Sequence, residues 1–74
     1  MNLWRAEYES RNFSFYAYDT TMMGALNSLY MGLAAHQELY ELASDWYHED
    51  DIYVKQYKMG SAYRDTTEIY TRED

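Results

Sequence analysis

Residues 13–36 read FSFYAYDTTMMGALNSLYMGLAAH, and the spacing of the apolar residues changes in the middle of them. Phe13, Phe15 and Ala17 recur at every second position, the period of a strand with one buried face. After Asp19-Thr20-Thr21 the period lengthens. Met22, Leu26, Leu29, Leu33 and then Tyr40 recur at helical spacing and form one stripe. Asp19, Thr20 and Thr21 are candidate N-caps, and a carboxylate at Asp19 suits the positive end of the helix dipole. A strand that hands over to a long helix in so short a space makes the chain α+β.

Upstream, Trp4-Arg-Ala-Glu-Tyr-Glu9 alternates apolar and charged residues, and Ser10-Arg-Asn12 reads as a tight turn. The resulting hairpin has a core face of Trp4, Ala6, Tyr8, Phe13, Phe15 and Ala17. Its outward face carries Arg5, Glu7, Glu9, Ser14, Tyr16 and Tyr18. Downstream, the helix is expected to run to about Ser44. Gly24 and Gly32 inside it each cost about 1 kcal/mol relative to Ala, which predicts close approach of the sheet, a second copy or a partner. Ile52–Lys58 reads as a third strand, with Ile52 and Val54 inward and Tyr53, Lys55 and Tyr57 outward. Gly60-Ser61 turns the chain. Tyr63–Tyr70 reads as a short fourth strand at an edge, with Arg64-Asp-Thr-Thr67 as a competing turn, and the last four residues as loose. The expected fold is ββαβ(β), an antiparallel sheet with one long helix packed on one face, in a single domain spanning 1–74.

A chain of 74 residues buries only about 60 % of its unfolded surface, so its stability margin is thin. It contains no Cys, which rules out disulfides and thiolate metal sites and fits a reducing, cytoplasmic setting. No apolar run approaches the ~18–20 residues of a membrane span. Met-Asn-Leu-Trp-Arg-Ala-Glu7 is broken by charge and does not read as a signal peptide. Stability falls to the aromatics: two Trp, two Phe and ten Tyr.

The formal net charge is −7, and its placement says more than its size. From Asn12 to Val54 there is no Lys or Arg, while Asp19, Glu38, Glu41, Asp45, Glu49, Asp50 and Asp51 are all acidic. The flanks balance, Arg5, Arg11, Lys55, Lys58, Arg64 and Arg72 against Glu7, Glu9, Asp65, Glu68, Glu73 and Asp74. Such a field repels phosphate backbones and attracts basic surfaces. On a helix reaching Ser44, Glu38, Glu41 and Asp45 lie on the outer side, three and four residues apart. Like charges at that spacing destabilise by a few tenths of a kcal/mol per pair, and the negative helix end adds about 0.3–1 kcal/mol each. A marginal domain that keeps them predicts a partner; the plainer reading is a solvated face that keeps the protein soluble. Met31 and Leu42 on the same side predict a docking strip, unless a bend in the helix makes them core.

The outward sheet face predicts a second surface, Tyr16, Tyr18, Tyr53 and Tyr57 with Arg5 and Lys55 among them. Tyr is enriched at protein interfaces, it also packs across strands, and bases stack on such platforms in single-strand binders. Catalytic constellations are weak. His36 and His48 are the only histidines, and His48-Glu-Asp-Asp51 lacks the helical His-x-x-x-His or carboxylate loop of a metal site. Ser44, His48 and Asp50 do not make a triad, and no Gly-rich phosphate loop is present. No catalytic residue, metal or cofactor is expected.

The stretch HQELYELASDWYHEDD, residues 36–51, therefore reads as an acidic, aromatic-bearing surface that imitates a polyanion. Glu38, Glu41, Asp45, Glu49, Asp50 and Asp51 take the places of phosphates, and Trp46, Tyr40 and Tyr47 serve as anchors. In size, acidity, aromatic content and ββαβ-like order the chain resembles, in general character, the small acidic inhibitor proteins of bacteriophages and mobile elements. Anti-CRISPR and anti-restriction proteins are among these, and several mimic DNA. The resemblance implies stoichiometric inhibition of a host nuclease or nucleoprotein complex in the bacterial cytoplasm. The expected function is thus non-enzymatic binding to a basic protein surface of a nucleic-acid-handling complex, without direct nucleic-acid or membrane binding. The alternative is a self-associating accessory module, a homodimer paired through its Tyr-rich sheet face; single-strand nucleic-acid binding by that face comes third.

Overall fold

A computed structural model describes residues 2–72 of the chain. Five strands and one helix follow in the order β1 (Asn2–Glu9), β2 (Ser14–Asp19), α1 (Met22–Leu39), β3 (Tyr53–Lys58), β4 (Ser61–Arg64) and β5 (Thr67–Thr71), with a 3₁₀ turn at Glu49–Asp51. β1 is the centre of an antiparallel three-stranded sheet, ordered β2-β1-β3. The register sets Ala6 opposite Ala17 and Val54, and Tyr8 opposite Phe15. Both strands beside β1 therefore turn their apolar residues to one side, as the period-two pattern requires. The fold is α+β, with α1 packed on that side, chiefly against β2 and β1.

Ala6, Tyr8, Ala25, Leu29 and Leu33 form the buried core. Two of these five are alanines, so much of the bulk comes from half-buried residues around them: Trp4, Phe15, Leu26, Trp46, Tyr47, Ile52 and Val54. The aromatics interlock. The Tyr8 ring lies 5.8 Å from Trp46 at a right angle, 5.7 Å from Tyr47 and 6.1 Å from Phe15. His36 packs 4.9 Å from Phe15 and 5.2 Å from Trp46, whose indole N–H donates to Gln37 Oε1 at 3.1 Å. Offset and edge-on ring pairs of this kind add about 0.5–1.5 kcal/mol each beyond area burial.

The helix starts where its caps predict. Thr21 is the N-cap, and its hydroxyl accepts the Gly24 N–H at 3.0 Å, while the Asp19 carboxylate accepts from the Thr20 N–H at 2.6 Å. The far end differs from expectation. α1 stops at Leu39, not near Ser44. Glu41 adopts a left-handed conformation, φ 52°, and the Glu41 and Leu42 N–H groups donate back to the carbonyls of Glu38 (3.3 Å) and Gln37 (2.9 Å). This is a Schellman closure with Glu in the place where Gly is usual. Pulling the chain off the helix there lets Trp46 and Tyr47 fold onto Tyr8.

Several expectations are corrected by this geometry. Met22 and Tyr40 lie exposed at the ends of the stripe, and Ala25 takes a core position instead. Phe13 precedes β2 and is 49 % exposed, its ring resting on His36 and Tyr40. Leu42 leaves the helix and is half-buried, so it makes no strip with Met31, which is 74 % exposed. The two helical glycines have unlike reasons. A Cβ on Gly24 would meet the Asp19 carboxylate and Thr21 Oγ1, the chain's own cap, whereas one on Gly32 would meet nothing within 4 Å.

The C-terminal segment forms two strands rather than one. Met59-Gly60, with Gly60 at φ 90°, leads from β3 into β4, and Asp65, at φ 55°, turns the chain back into β5. Among the described residues β4 and β5 pair only with each other. Every residue of β5 is exposed, Thr71 included; Glu73 and Asp74, the end of the segment expected to be loose, lie outside the described residues. The hairpin projects from the body, and the described chain measures 48 × 22 × 19 Å with a radius of gyration of 14.2 Å, against about 11 Å for a compact chain of this length. No helix of the described residues is long and apolar enough to cross a membrane.

Two predictions follow the backbone. Gly32→Ala raises stability by about 1 kcal/mol, because helix propensity is gained in open space; Gly24→Ala gains nothing or loses, because the cap must shift. Thermal melts of the pair read the difference, about 4–8 °C per kcal/mol for a domain of this size. Glu41→Gly relieves a left-handed cost of about 1–2 kcal/mol, less the extra unfolded freedom of Gly. Denaturant titration should show a net gain of about 0.5–1 kcal/mol, with Glu41→Ala neutral.

Candidate functional site

The acidic residues of 36–51 fall on three kinds of backbone. Glu38 lies in the last turn of the helix, Glu41 and Asp45 occupy turns beyond it, and Glu49, Asp50 and Asp51 make the 3₁₀ turn. All six are exposed. Because the helix stops at Leu39, Glu38, Glu41 and Asp45 do not share the helical face expected of them. Among the described residues the one ion pair is Arg5 Nη2 to Glu7 Oε2 at 3.3 Å, so none of the six has an internal counter-ion there. Of the expected anchors, Tyr40 is 55 % exposed, while Trp46 and Tyr47 are half-buried against the core. Trp46 holds the loop down rather than standing out from it.

The other expected surface assembles as one face. Across the outer side of the sheet run the rows Tyr18–Arg5–Lys55 and Tyr16–Glu7–Tyr53, with Leu3 beside Tyr57. Tyr16, Tyr18 and Tyr53 are exposed and Tyr57 is half-buried. The Arg5 guanidinium lies between two rings, 5.2 Å from the centroid of Tyr16 and 5.1 Å from that of Tyr57. With its ion pair to Glu7, the cation is consumed within the chain. Tyr57 in turn meets Tyr63 edge-on at 4.6 Å, which ties the projecting hairpin to the sheet. Tyr63 Oη accepts the Lys58 N–H at 2.9 Å and donates to Glu68 at 3.3 Å. The Thr71 hydroxyl also donates to Glu68, and this, aided by Lys58 and Tyr63, holds its carboxyl below the usual range.

Sequence reasoning missed a cleft. Glu7 and Glu9 of β1, Asp51 of the 3₁₀ turn and Tyr53 of β3 line an open depression of about 340 Å³. Alternation had turned Glu7, Glu9 and Tyr53 to one side, but only the pairing of β1 with β3 brings Asp51 to them. These carboxylates do not converge as metal ligands; among the described residues no group of three or more His, Asp or Glu does. The cleft extends negative surface from the 3₁₀ turn onto the outer sheet face, where its chemistry suits a cationic side chain.

Burial pushes up the hydroxyl pKa of Tyr30, helped by Glu49 and Tyr47, and that of Tyr57, opposed by the Arg5 cation. Their raised folded values mean the folded state keeps protons that the unfolded chain releases. Stability is therefore fully present below the unfolded tyrosine value of about 10 and is lost as pH rises through the folded values. Denaturant melts from about pH 9 to about pH 12 should trace that fall, with tyrosinate absorbance reporting ionisation. Tyr57 Oη is buried without a hydrogen-bond partner among the described residues. Tyr57→Phe should thus raise neutral-pH stability by about 1 kcal/mol and blunt the alkaline fall. Compared with protein-family models, with curated proteins and with solved structures, the chain matches none.

Proposed function

We propose that this is a non-enzymatic acidic binding protein that occupies a basic, nucleic-acid-binding surface of another protein. The observation that carries the reading is missing counter-charge. Among the described residues the single ion pair, Arg5–Glu7, leaves the exposed acids of 38–51 unanswered, in a chain of net charge −7. A partner's Lys and Arg side chains supply what the chain lacks, and the long-range field speeds their approach. Glu38, Glu41, Asp45, Glu49, Asp50 and Asp51 form the contact, with Tyr40 as the exposed aromatic beside them. Trp46 contributes by fixing the loop that presents the acids. The Tyr-rich sheet face is less suited to nucleic acid, since its central cation is already held between Tyr16 and Tyr57. Blocking a basic groove in this way is how a small inhibitor of a nuclease or nucleoprotein complex would act.

Titration with an Arg-rich peptide tests the reading. Binding is expected, with affinity falling about tenfold or more between ~50 and ~200 mM salt. Reversing Glu38, Glu41 and Asp45 to Lys moves the net charge from −7 to −1, since each reversal adds two. It should weaken binding more than tenfold at constant circular dichroism. Duplex DNA should compete for a partner captured from a bacterial lysate. Unchanged binding by the triple variant rejects the site.

A further inference from the structure

The sheet has two outer edges and the hairpin two more, and three of the four are guarded. β3 carries Lys55 and Lys58, and the Lys58 N–H is capped by Tyr63 Oη at 2.9 Å. β5 is bulged: consecutive residues Ala62 and Tyr63 of β4 pair with Tyr70 and Glu68, leaving Ile69 as the extra residue. β4 includes Arg64 and has only four residues. Charges, bulges and shortness are the usual means of keeping a strand edge from pairing. β2, Ser14-Phe-Tyr-Ala-Tyr-Asp19, has no bulge and no charge before its end. It is six residues long, unbroken in register against β1, and uncharged except at its last position.

The polarity of that edge follows from the turn. The Ser10 N–H donates to the Phe13 carbonyl at 2.8 Å, which makes Ser10–Phe13 a hydrogen-bonded pair. Such pairs alternate along an antiparallel ladder, so Tyr8–Phe15 and Ala6–Ala17 bond across β1 and β2. Ser14, Tyr16 and Tyr18 then turn their N–H and C=O groups away from β1. No other described residue hydrogen-bonds to that side of β2.

We infer that a second copy of this chain pairs antiparallel with β2, joining two sheets into one of six strands about a two-fold axis at Tyr16. The register that pairs all three outward residues sets Tyr16 against Tyr16 and Ser14 against Tyr18 on the outer face. Phe15 then faces Ala17 on the helix side, and Asp19 falls opposite the uncharged Phe13, which precedes the strand. No like charges meet, and the aromatic pair on the axis is a favourable cross-strand contact. A strand whose one charge, Asp19, lies at its end and which complements itself under two-fold rotation fits another copy of itself. The acidic segment 36–51 belongs to neither β2 nor its turn, so this inference stands apart from the proposed acidic contact. Edge pairing also differs from stacking of the sheet faces, which would involve Tyr53 and Tyr57 on β3.

The absence of Cys makes the test clean. Directly opposed hydrogen-bonded residues sit about 5.5 Å apart at Cα, within reach of a short bifunctional thiol-reactive linker. Tyr16→Cys should cross-link to a covalent dimer with such a linker at least tenfold faster than Tyr53→Cys. Sedimentation of the unmodified protein should show a concentration-dependent dimer. Tyr16→Lys, which sets two ammonium groups against each other, should shift its dissociation at least tenfold, and Tyr53→Lys should leave it unchanged. Should Tyr16→Lys disturb the Arg5 stack, Ser14→Pro removes one outward N–H at a strand start, where Pro is tolerated, and should likewise weaken the dimer. A protein that sediments as a monomer throughout, a dimer indifferent to Tyr16→Lys and Ser14→Pro, or equal cross-linking at positions 16 and 53 overturns the inference.

Discussion

The turn at Glu41 redirects the chain from the end of the helix back over the open end of the sheet. Its left-handed backbone and its return bonds to Gln37 and Glu38 satisfy carbonyls that a longer helix would have used. The loop freed by that early stop carries Trp46 and Tyr47 to Tyr8, and the indole N–H finds Gln37, four residues before the turn. With only five of the described residues buried in the core, the aromatic cover is a large part of what this small domain buries. The same turn decides how the acids are displayed. A helix continued to Ser44 would have lined Glu38, Glu41 and Asp45 along one edge; the closure spreads them over the helix end and a loop.

Electrostatics and packing pull in different directions on the two sides of the sheet. On the outer face the lone cation of the central strand is enclosed by Tyr16 and Tyr57 and paired with Glu7. Its charge is spent on cohesion, so the face presents hydroxyls and ring edges more than positive potential. At the β1–β3 end of that face, Glu7, Glu9 and Asp51 open a negative depression beside Tyr53. The molecule therefore presents anionic surface from the end of the helix, through the 3₁₀ turn, to the sheet. The uncharged strand β2 lies at the opposite edge of the sheet from β3, where self-pairing opposes no like charges.

The projecting β4–β5 hairpin is an economical structure in the narrow sense that few contacts hold it. Tyr63 against Tyr57 and the Tyr63 hydroxyl on Lys58 connect it to β3, while the Arg72 N–H on the Gly60 carbonyl closes the hairpin's own ladder. A two-stranded ribbon is marginal alone, so this attachment at its base determines how far it holds its shape. Ile69 and Tyr70 remain more than half exposed along it.

The amino-acid order alone determined the parts whose signals are local. Period two placed Trp4, Ala6, Tyr8, Phe15 and Ala17 on one face and Arg5, Tyr16, Tyr18, Tyr53 and Tyr57 on the other, because side chains in a strand alternate whatever lies around them. Thr21 opened the helix because a cap needs only its own next three residues. The end of the helix was not legible, since its left-handed position holds Glu in place of the Gly that would have announced it. Gly24 and Gly32 look alike in the sequence and differ only in what surrounds them. Trp46 reads as a surface anchor until the loop is folded back, and Glu7 and Glu9 join Asp51 only once β1 and β3 are paired. The last two are contacts between residues far apart in the chain, where strand order and burial decide together, and no short window of sequence contains them.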